Sequence, residues 1–218
     1  MSGRGPFPVE ATDEGLASFL MGLRARGISD VSVLRALEGV PRRAFAPPRY
    51  ADLSLRDVAL PLACGQTLPA PLQAAAIAQA AAPRPGLRAI EIGAGSGYVS
   101  ALLAGAGLAV VALERWRTLA VEAEARLLAL GFAAVKVAWA DGLAEADRLG
   151  QFDRVVVDGR MDDPDRFRRC LSKGGLLVGG TAETGGARLM RFRASGGAGE
   201  DLGPARFGPL LAGVAQGR

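Results

Sequence analysis

LRAIEIGAGSGYVSALLAGAGLAVVALE, residues 87–114, divides into four pieces. A short apolar run, Ala89 to Ile92, ends in Gly93, Gly95 and Gly97. A helix-like segment follows from Val99 to Ala104. A second apolar run, Ala109 to Leu113, ends in an acid, Glu114. This order predicts a β–loop–α–β unit with the glycines at the first strand-to-helix turn. Glycine reaches positive φ, and its missing Cβ lets a ligand approach the backbone. Amides at the helix start can then face an anionic or polar group. An acid closing the next strand is placed to accept hydrogen bonds from ribose hydroxyls. The chemistry of the stretch points to a nucleoside-containing cofactor.

The spacing separates two kinds of cofactor. A dinucleotide fingerprint is G-x-G-x-x-G. In Gly93-Ala94-Gly95-Ser96-Gly97 the third glycine comes too early for it. Glu91 also precedes the loop, where its charge repels a pyrophosphate but not a cation. E-x-G-x-G-x-G followed by an acid at the next strand end resembles the S-adenosylmethionine site of class I methyltransferases. Glu91 is then expected either to orient the loop or to face the methionyl ammonium. Tyr98, on the first helical turn, is a candidate ligand contact.

Downstream the pattern repeats. Residues 116–130 are helical, with Trp116, Leu119, Ala120, Ala123, Leu127 and Leu130 on the buried face and Gly131 as the stop. Ala134 to Ala138 is a strand ending at Trp139-Ala140-Asp141-Gly142, where an acid can reach an adenine amine. Phe152 to Val157 is continuously apolar after Arg154, so it is central. It ends at Asp158-Gly159-Arg160. Glu91, Glu114, Asp141 and Asp158 thus fall at strand ends along one edge, where open parallel sheets bind ligands. Trp116 and Trp139 are placed to flank an adenine or to pack as core. Asp163-Pro164 begins a helix through Cys170. Lys173-Gly174-Gly175 is a turn before the strand Leu176 to Val178. Two more strands, Ala187 to Arg193 and Ala205 to Leu211, flank the loop from Ser195 to Gly199.

Upstream lies helical material. Glu10 to Arg26 carries Leu16, Phe19, Leu20 and Leu23 at helical spacing. Ser29 or Asp30 can cap the next helix, whose stripe is Val33, Leu34 and Leu37. Arg49 to Arg56 is a short helix or irregular wrap. Ala59 to Pro71 is extended and rich in turns, and a helix runs on from Pro71. No linker divides the chain. A single domain is expected, with residues 1–70 as a helical layer plus loop and residues 71–218 as the α/β core.

Composition narrows the chemistry. Half the residues are apolar and the net charge is +4, carried almost wholly by arginine. The arginines are spread out, and Arg42-Arg43 and Arg166 to Arg169 are too short for a nucleic-acid footprint. With no histidine, a His-based triad or His metal site is excluded, and no metal is expected. Cys64 and Cys170 match no disulfide framework or redox spacing. Met1 to Pro8 lacks a signal-peptide core and is expected to fray. No apolar stretch suits a membrane span. A soluble cytoplasmic protein without a membrane partner, a monomer or weak homo-oligomer, is expected.

From about Leu16 to Leu211 the chain resembles the protein-L-isoaspartate O-methyltransferases. Gly27 to Arg42, followed by Phe45, is similar to that family's N-terminal helices. Leu60-Pro61 and Gly65-Gln66-Thr67 match its active-site loop, and Pro71 a later proline of that loop. Glu91-Ile92-Gly93-Ala94-Gly95-Ser96-Gly97-Tyr98 is close to its cofactor loop. Glu114-Arg115 matches the ribose-binding strand end, Asp141-Gly142 the adenine-side motif, and Gly174 to Val178 the late helix–strand turn. The resemblance implies a Rossmann-like class I methyltransferase: a mostly parallel seven-stranded sheet, helices on both faces, the last strands an antiparallel excursion at one edge. It implies S-adenosylmethionine as cofactor and, as partner, a damaged protein or peptide carrying isoaspartate. Gln66, Thr67 and position 69 become the acceptor-site residues. Asp158 joins the cofactor side.

Two departures stand out. Where the family's loop continues Gly-Gln-Thr-Ile-Ser, this chain has Pro69, which has neither hydroxyl nor amide hydrogen to donate. Where the family's fourth strand runs into Thr-Ala-Ala, this chain has Asp158-Gly159-Arg160. Asp158 near a carboxylate acceptor would repel it unless Arg160 compensates. These changes predict slow methylation of ordinary isoaspartyl peptides. They leave open a different acceptor, or a cofactor-binding protein without turnover.

Overall fold

The computed structural model describes residues 13–145, 148, 150–183 and 186–217. In chain order the elements are α1 (Asp13–Ala25), α2 (Val31–Gly39), β1 (Leu60–Pro61), β2 (Thr67–Leu68), α3 (Pro71–Ala80), β3 (Arg88–Ile92), α4 (Tyr98–Gly105), β4 (Ala109–Glu114), α5 (Arg117–Ala129), β5 (Lys136–Trp139), α6 (Gly142–Glu145), β6 (Phe152–Met161), α7 (Pro164–Arg168), β7 (Leu171–Glu183), β8 (Gly186–Arg193) and β9 (Glu200–Ala205). The expected fraying of Met1 to Pro8 lies outside the described residues.

Seven strands form one sheet in the order β5-β4-β3-β6-β7-β8-β9. The first five run parallel, while β8 is antiparallel to β7 and β9 to β8. The fold is the Rossmann-like class I methyltransferase arrangement, with its antiparallel excursion at one edge. Period-two alternation sorts the strand side chains onto two cores. Ala89, Val110, Ala112, Val156 and Val178 face the layer built from α1 to α4. Ile90, Ile92, Leu113, Val155, Val157 and Leu177 face the other side, with Phe167 of α7.

The helical layer is tied down locally. Asp30 caps α2, its carboxylate accepting from the amides of Ser32 and Val33. Such a cap contributes about 1 kcal/mol. α2 crosses α4 so closely that a Cβ on Gly105 would stand 3.2 Å from Ala36 Cβ. Pro71 opens α3, as its missing amide hydrogen permits. Arg154 is buried in β6, and its guanidinium donates to the carbonyls of Ala81 and Ala82 at the end of α3. A cation there complements the helix C-terminus.

The tail departs from expectation. Residues 205–211 were expected to form the last strand, but β9 ends at Ala205. Its register is set earlier, by Arg191 opposite Glu200, whose side chains pair at 2.7 Å. Gly208 and Pro209 then suit a ladder poorly, since proline cannot donate to it. Residues 206–217 instead cross the C-terminal ends of the parallel strands, bridging Arg160 to Pro209 and Trp116 to Ala215. The turn expected at Lys173 to Gly175 is a bulge inside β7, where the pairing jumps from Phe152–Leu171 to Arg154–Leu176.

Candidate functional site

Register places the sequence motifs on one edge. Ile92 pairs with Leu113 and with Val157, and Glu114 pairs with Trp139. Gly93, Glu114, Asp141 and Asp158 therefore all follow the same line of strand ends.

The glycine loop is pinned by its neighbours. The amides of Gly93 and Ala94 both donate to the Leu113 carbonyl, at 2.8 and 3.0 Å. Gly93 has φ +90°, and a Cβ there would lie 3.1 Å from the Asp158 carbonyl. Both facts require glycine. The Gly95 amide donates to Glu114 Oε2 at 2.8 Å, and the Trp116 amide to Glu114 Oε1 at 2.8 Å. Glu114, 4% exposed, thus ties the loop to the start of α5. Burial raises its pKa, and those amide bonds work against the rise. Arg126 reaches back from α5 to the Ser96 carbonyl at 2.9 Å. Its place among the polar residues of that helix gave no hint of this role.

Glu91 does not reach the cavity. The alternation that buries Ala89 under α4 buries Glu91 too, at 0% exposure. One carboxylate oxygen accepts from the Ser100 hydroxyl of α4, and the other has no partner among the described residues. Burial pushes its pKa well above the usual carboxylate range, and Asp158 and Glu114 add to that. Glu91 sits behind the loop, where it bridges β3 to α4.

A cavity of about 1920 Å³ opens in front of the loop. Gly93, Ala94, Gly95, Ser96, Tyr98, Glu114, Arg115 and Asp158 line one part of it, and Gln66, Thr67 and Pro69 another. Trp116 is on the wall; Trp139 is not, its indole donating to the Arg115 carbonyl at 2.9 Å. Tyr98 is buried, tilted against Phe45 with centroids 5.4 Å apart. Gly97 lies at the loop's back, where a Cβ would crowd Leu127 at 3.2 Å.

Asp141 and Gly142 are tied into the fold beside the loop. One Asp141 oxygen accepts from the amides of Leu143 and Ala144, capping α6, and the other accepts from Gly213 at 2.7 Å. Neither residue lines the large cavity. Gly142 borders a recess of about 30 Å³ with Ile92, Leu113, Leu143 and Leu210. A Cβ on Gly142 would meet Ile92 Cγ2 at 2.3 Å, so packing explains that glycine.

The tail forms the outer wall, which pattern reading missed. The Arg115 guanidinium donates to the carbonyls of Gly213 and Ala212, at 2.9 and 3.3 Å. The Arg117 amide donates to the Ala215 carbonyl, and the Ala215 amide to that of Arg115, both at 2.8 Å.

The acceptor-loop residues sit on the β1–β2 hairpin, with Leu60 opposite Leu68 and Pro61 opposite Thr67. Arg42 holds it. Its guanidinium is buried and donates to the carbonyls of Ser54, Val58 and Pro69, at 3.0, 2.9 and 2.9 Å. It also lies 6.0 Å from the Tyr98 ring centroid. The sequence marks Arg42 as half of a short basic cluster and as the end of the family-like stretch from Gly27, and neither reading points to the hairpin.

Asp158 is half-buried on the cavity wall and makes no ion pair with Arg160. Burial and the nearby Glu114 push its carboxyl up to about 7 from 3.8. The unfolded chain loses this proton near pH 4 and the folded chain near pH 7, so Asp158 costs stability increasingly across that window and fully above it. Asp158→Asn is expected to leave the melting temperature nearly unchanged at pH 4 and to raise it at pH 8. A scan showing equal shifts at both pH values would count against the burial of this carboxyl.

Comparison with known proteins gives a consistent picture. Residues 16–210 match the family Protein-L-isoaspartate(D-aspartate) O-methyltransferase (PCMT). The Protein-L-isoaspartate O-methyltransferase of Caulobacter vibrioides (strain NA1000 / CB15N) is 38% identical, covering 99% of each chain. That of Rhodopseudomonas palustris (strain BisB18) is 41% identical over 91% of this chain and 94% of its own. Among solved structures, a Plasmodium falciparum protein described as a protein-L-isoaspartate O-methyltransferase, in complex with S-adenosyl-L-homocysteine, superposes with a TM-score of 0.76. The overlap covers 89% of this chain and 97% of that one at 23% identity, a likeness of fold.

Proposed function

Since the chain belongs to the protein-L-isoaspartate(D-aspartate) O-methyltransferase family, we propose that it esterifies the free carboxylate of isoaspartyl residues in damaged proteins or peptides. S-adenosylmethionine dependence comes with the family. The observation that carries the acceptor assignment is one cavity bordered by both the glycine loop and the Gln66–Pro69 hairpin.

The site suits the cofactor. Gly93 and Gly95 offer a floor without Cβ atoms, and Glu114 and Asp158 present carboxylates to a ligand that carries ribose hydroxyls and positive charge. Bound there, the cofactor supplies an electrophilic methyl group. Glu114 orients the ribose side and keeps the loop in place. Gln66 and Thr67 line the acceptor side and carry donors for a carboxylate. An acceptor carboxylate is already nucleophilic at neutral pH, so the protein's task is alignment and exclusion of water rather than proton removal. The lack of histidine is no obstacle. Pro69 gives only a backbone carbonyl, which Arg42 occupies. No donor faces the acceptor from that position, which is why slow turnover is expected. We place the enzyme in the cytoplasm, acting as a monomer or weak homo-oligomer. Among the described residues no helix is long and apolar enough to cross a membrane.

A tritiated-methyl assay tests this reading. An isoaspartyl peptide, its aspartyl twin and a cell extract are incubated in parallel. Base-labile label is expected on the isoaspartyl peptide and absent from its twin. Turnover is expected to be roughly one to three orders of magnitude below that of a relative with the loop serine. Label confined to other molecules in the extract would replace the acceptor. Tight cofactor binding with no label anywhere would replace catalysis by binding alone.

A further inference from the structure

Five arginines line the large cavity: Arg26, Arg115, Arg160, Arg191 and Arg206. Three are committed within the chain. Arg26 pairs with Asp57 at 2.5 Å, Arg191 with Glu200 at 2.7 Å, and Arg115 holds the tail carbonyls. Arg206 is exposed. Arg160 is half-buried, and among the described residues its guanidinium makes no hydrogen bond or ion pair. A half-buried cation on a cavity wall with no such partner is free to meet an anionic ligand.

The backbone fixes where this cation stands. The Arg160 amide donates to the Gly208 carbonyl at 2.8 Å, and Arg160 pairs with Gly180 across β6 and β7. Phe207 covers Gly180 so tightly that a Cβ there would lie 2.4 Å from its ring. Arg160 therefore sits two residues beyond Asp158, whose carbonyl abuts Gly93, where β6 pairs with β7 and with the tail. It is anchored beside the tail, on the wall of the same cavity as the hairpin.

Resting on the isoaspartyl reading above, we propose that Arg160 is a specificity-determining residue that binds the acceptor carboxylate. It donates to one oxygen while the other attacks. In the transfer, that free oxygen forms a bond to the methyl carbon. The carbon–sulfur bond breaks and its electron pair stays on sulfur, leaving neutral S-adenosylhomocysteine and a methyl ester. No proton moves. The acceptor loses its negative charge as the ester forms, so Arg160 holds substrate more tightly than transition state or product. Its contribution accordingly belongs to KM rather than kcat. No ion pair forms between Asp158 and Arg160, so the guanidinium stays available to the acceptor.

The test uses the full chain with Arg160→Gln and Arg160→Lys. Expected for Arg160→Gln is a rise in KM for an isoaspartyl peptide of roughly 10- to 100-fold, the range of a lost charge-assisted hydrogen bond. Its kcat is expected unchanged or slightly raised, with S-adenosylhomocysteine affinity and melting temperature as in wild type. Arg160→Lys, which keeps the charge but not the planar fork, should fall between. If wild type methylates the peptide and the KM of Arg160→Gln stays within threefold, the inference fails and the proposed function stands. If S-adenosylhomocysteine affinity falls in step with KM, Arg160 serves the cofactor's carboxylate and the inference also fails. If wild type neither labels nor binds the isoaspartyl peptide in the presence of S-adenosylhomocysteine, the proposed function fails and takes this inference with it.

Discussion

Glu114→Ala is expected to weaken S-adenosylhomocysteine binding by about 2–4 kcal/mol, roughly 30- to 1,000-fold. Two losses combine. The first is the ribose contact, a hydrogen bond to a charged group. The second is internal, because the carboxylate accepts from the amides of Gly95 and Trp116 and so sets the shape of the glycine loop. Each carboxylate oxygen has a second lone pair, so the internal bonds leave room for ribose hydroxyls. Removing the side chain leaves two amides short of a partner. Glu114→Gln separates the losses. Its amide group keeps one acceptor but turns a donor toward the other N–H, so about half the effect should remain. Titration calorimetry on folded variants reads both. Binding by Glu114→Ala within threefold of wild type would remove Glu114 from the cofactor site.

The glycine loop was legible because its chemistry is local. Positive φ at Gly93, Gly95 and Gly97, and a strand-ending acid, are written in consecutive residues. The succession of apolar runs and helical segments likewise located the strands of the parallel core. Contacts between distant segments were not legible. Asp141 reads as a ligand because it ends a strand, but nothing local shows that its oxygens also accept from α6 and from Gly213, 72 residues away. Glu91 reads as either orienting the loop or facing the methionyl ammonium, and only period-two geometry, which turns it under α4 behind the loop, separates the two. The tail reads as a strand because Phe207, Leu210 and Leu211 are apolar. Phe207 and Leu210 instead press on Gly180 and Gly159, whose lack of side chain admits them. Nothing in the local pattern of the tail names those glycines as its partners.

Arg42 is the extreme case of that non-local information, and its removal is expected to be the most destabilising change among those considered. Arg42→Ala should cost about 3–5 kcal/mol of folding stability, the range seen when a buried charged group is withdrawn from its partners. At roughly 2–4 °C per kcal/mol for a chain of this size, the melting temperature should fall by about 6–20 °C. The carbonyls of Ser54, Val58 and Pro69 lose their donor together. They belong to the segment that ends in the acceptor hairpin, so the damage is directional. At a temperature where the variant is folded, the peptide kcat/KM should drop more than S-adenosylhomocysteine affinity does. Arg42→Lys keeps a cation with three donors but lacks the planar fork that reaches carbonyls on separate turns, so it should recover only part of the loss. An Arg42→Ala protein that melts with wild type would mean the three carbonyls find water in place of the guanidinium. The hairpin would then owe its position to Leu60 and Leu68, both buried beneath it, rather than to the buried charge.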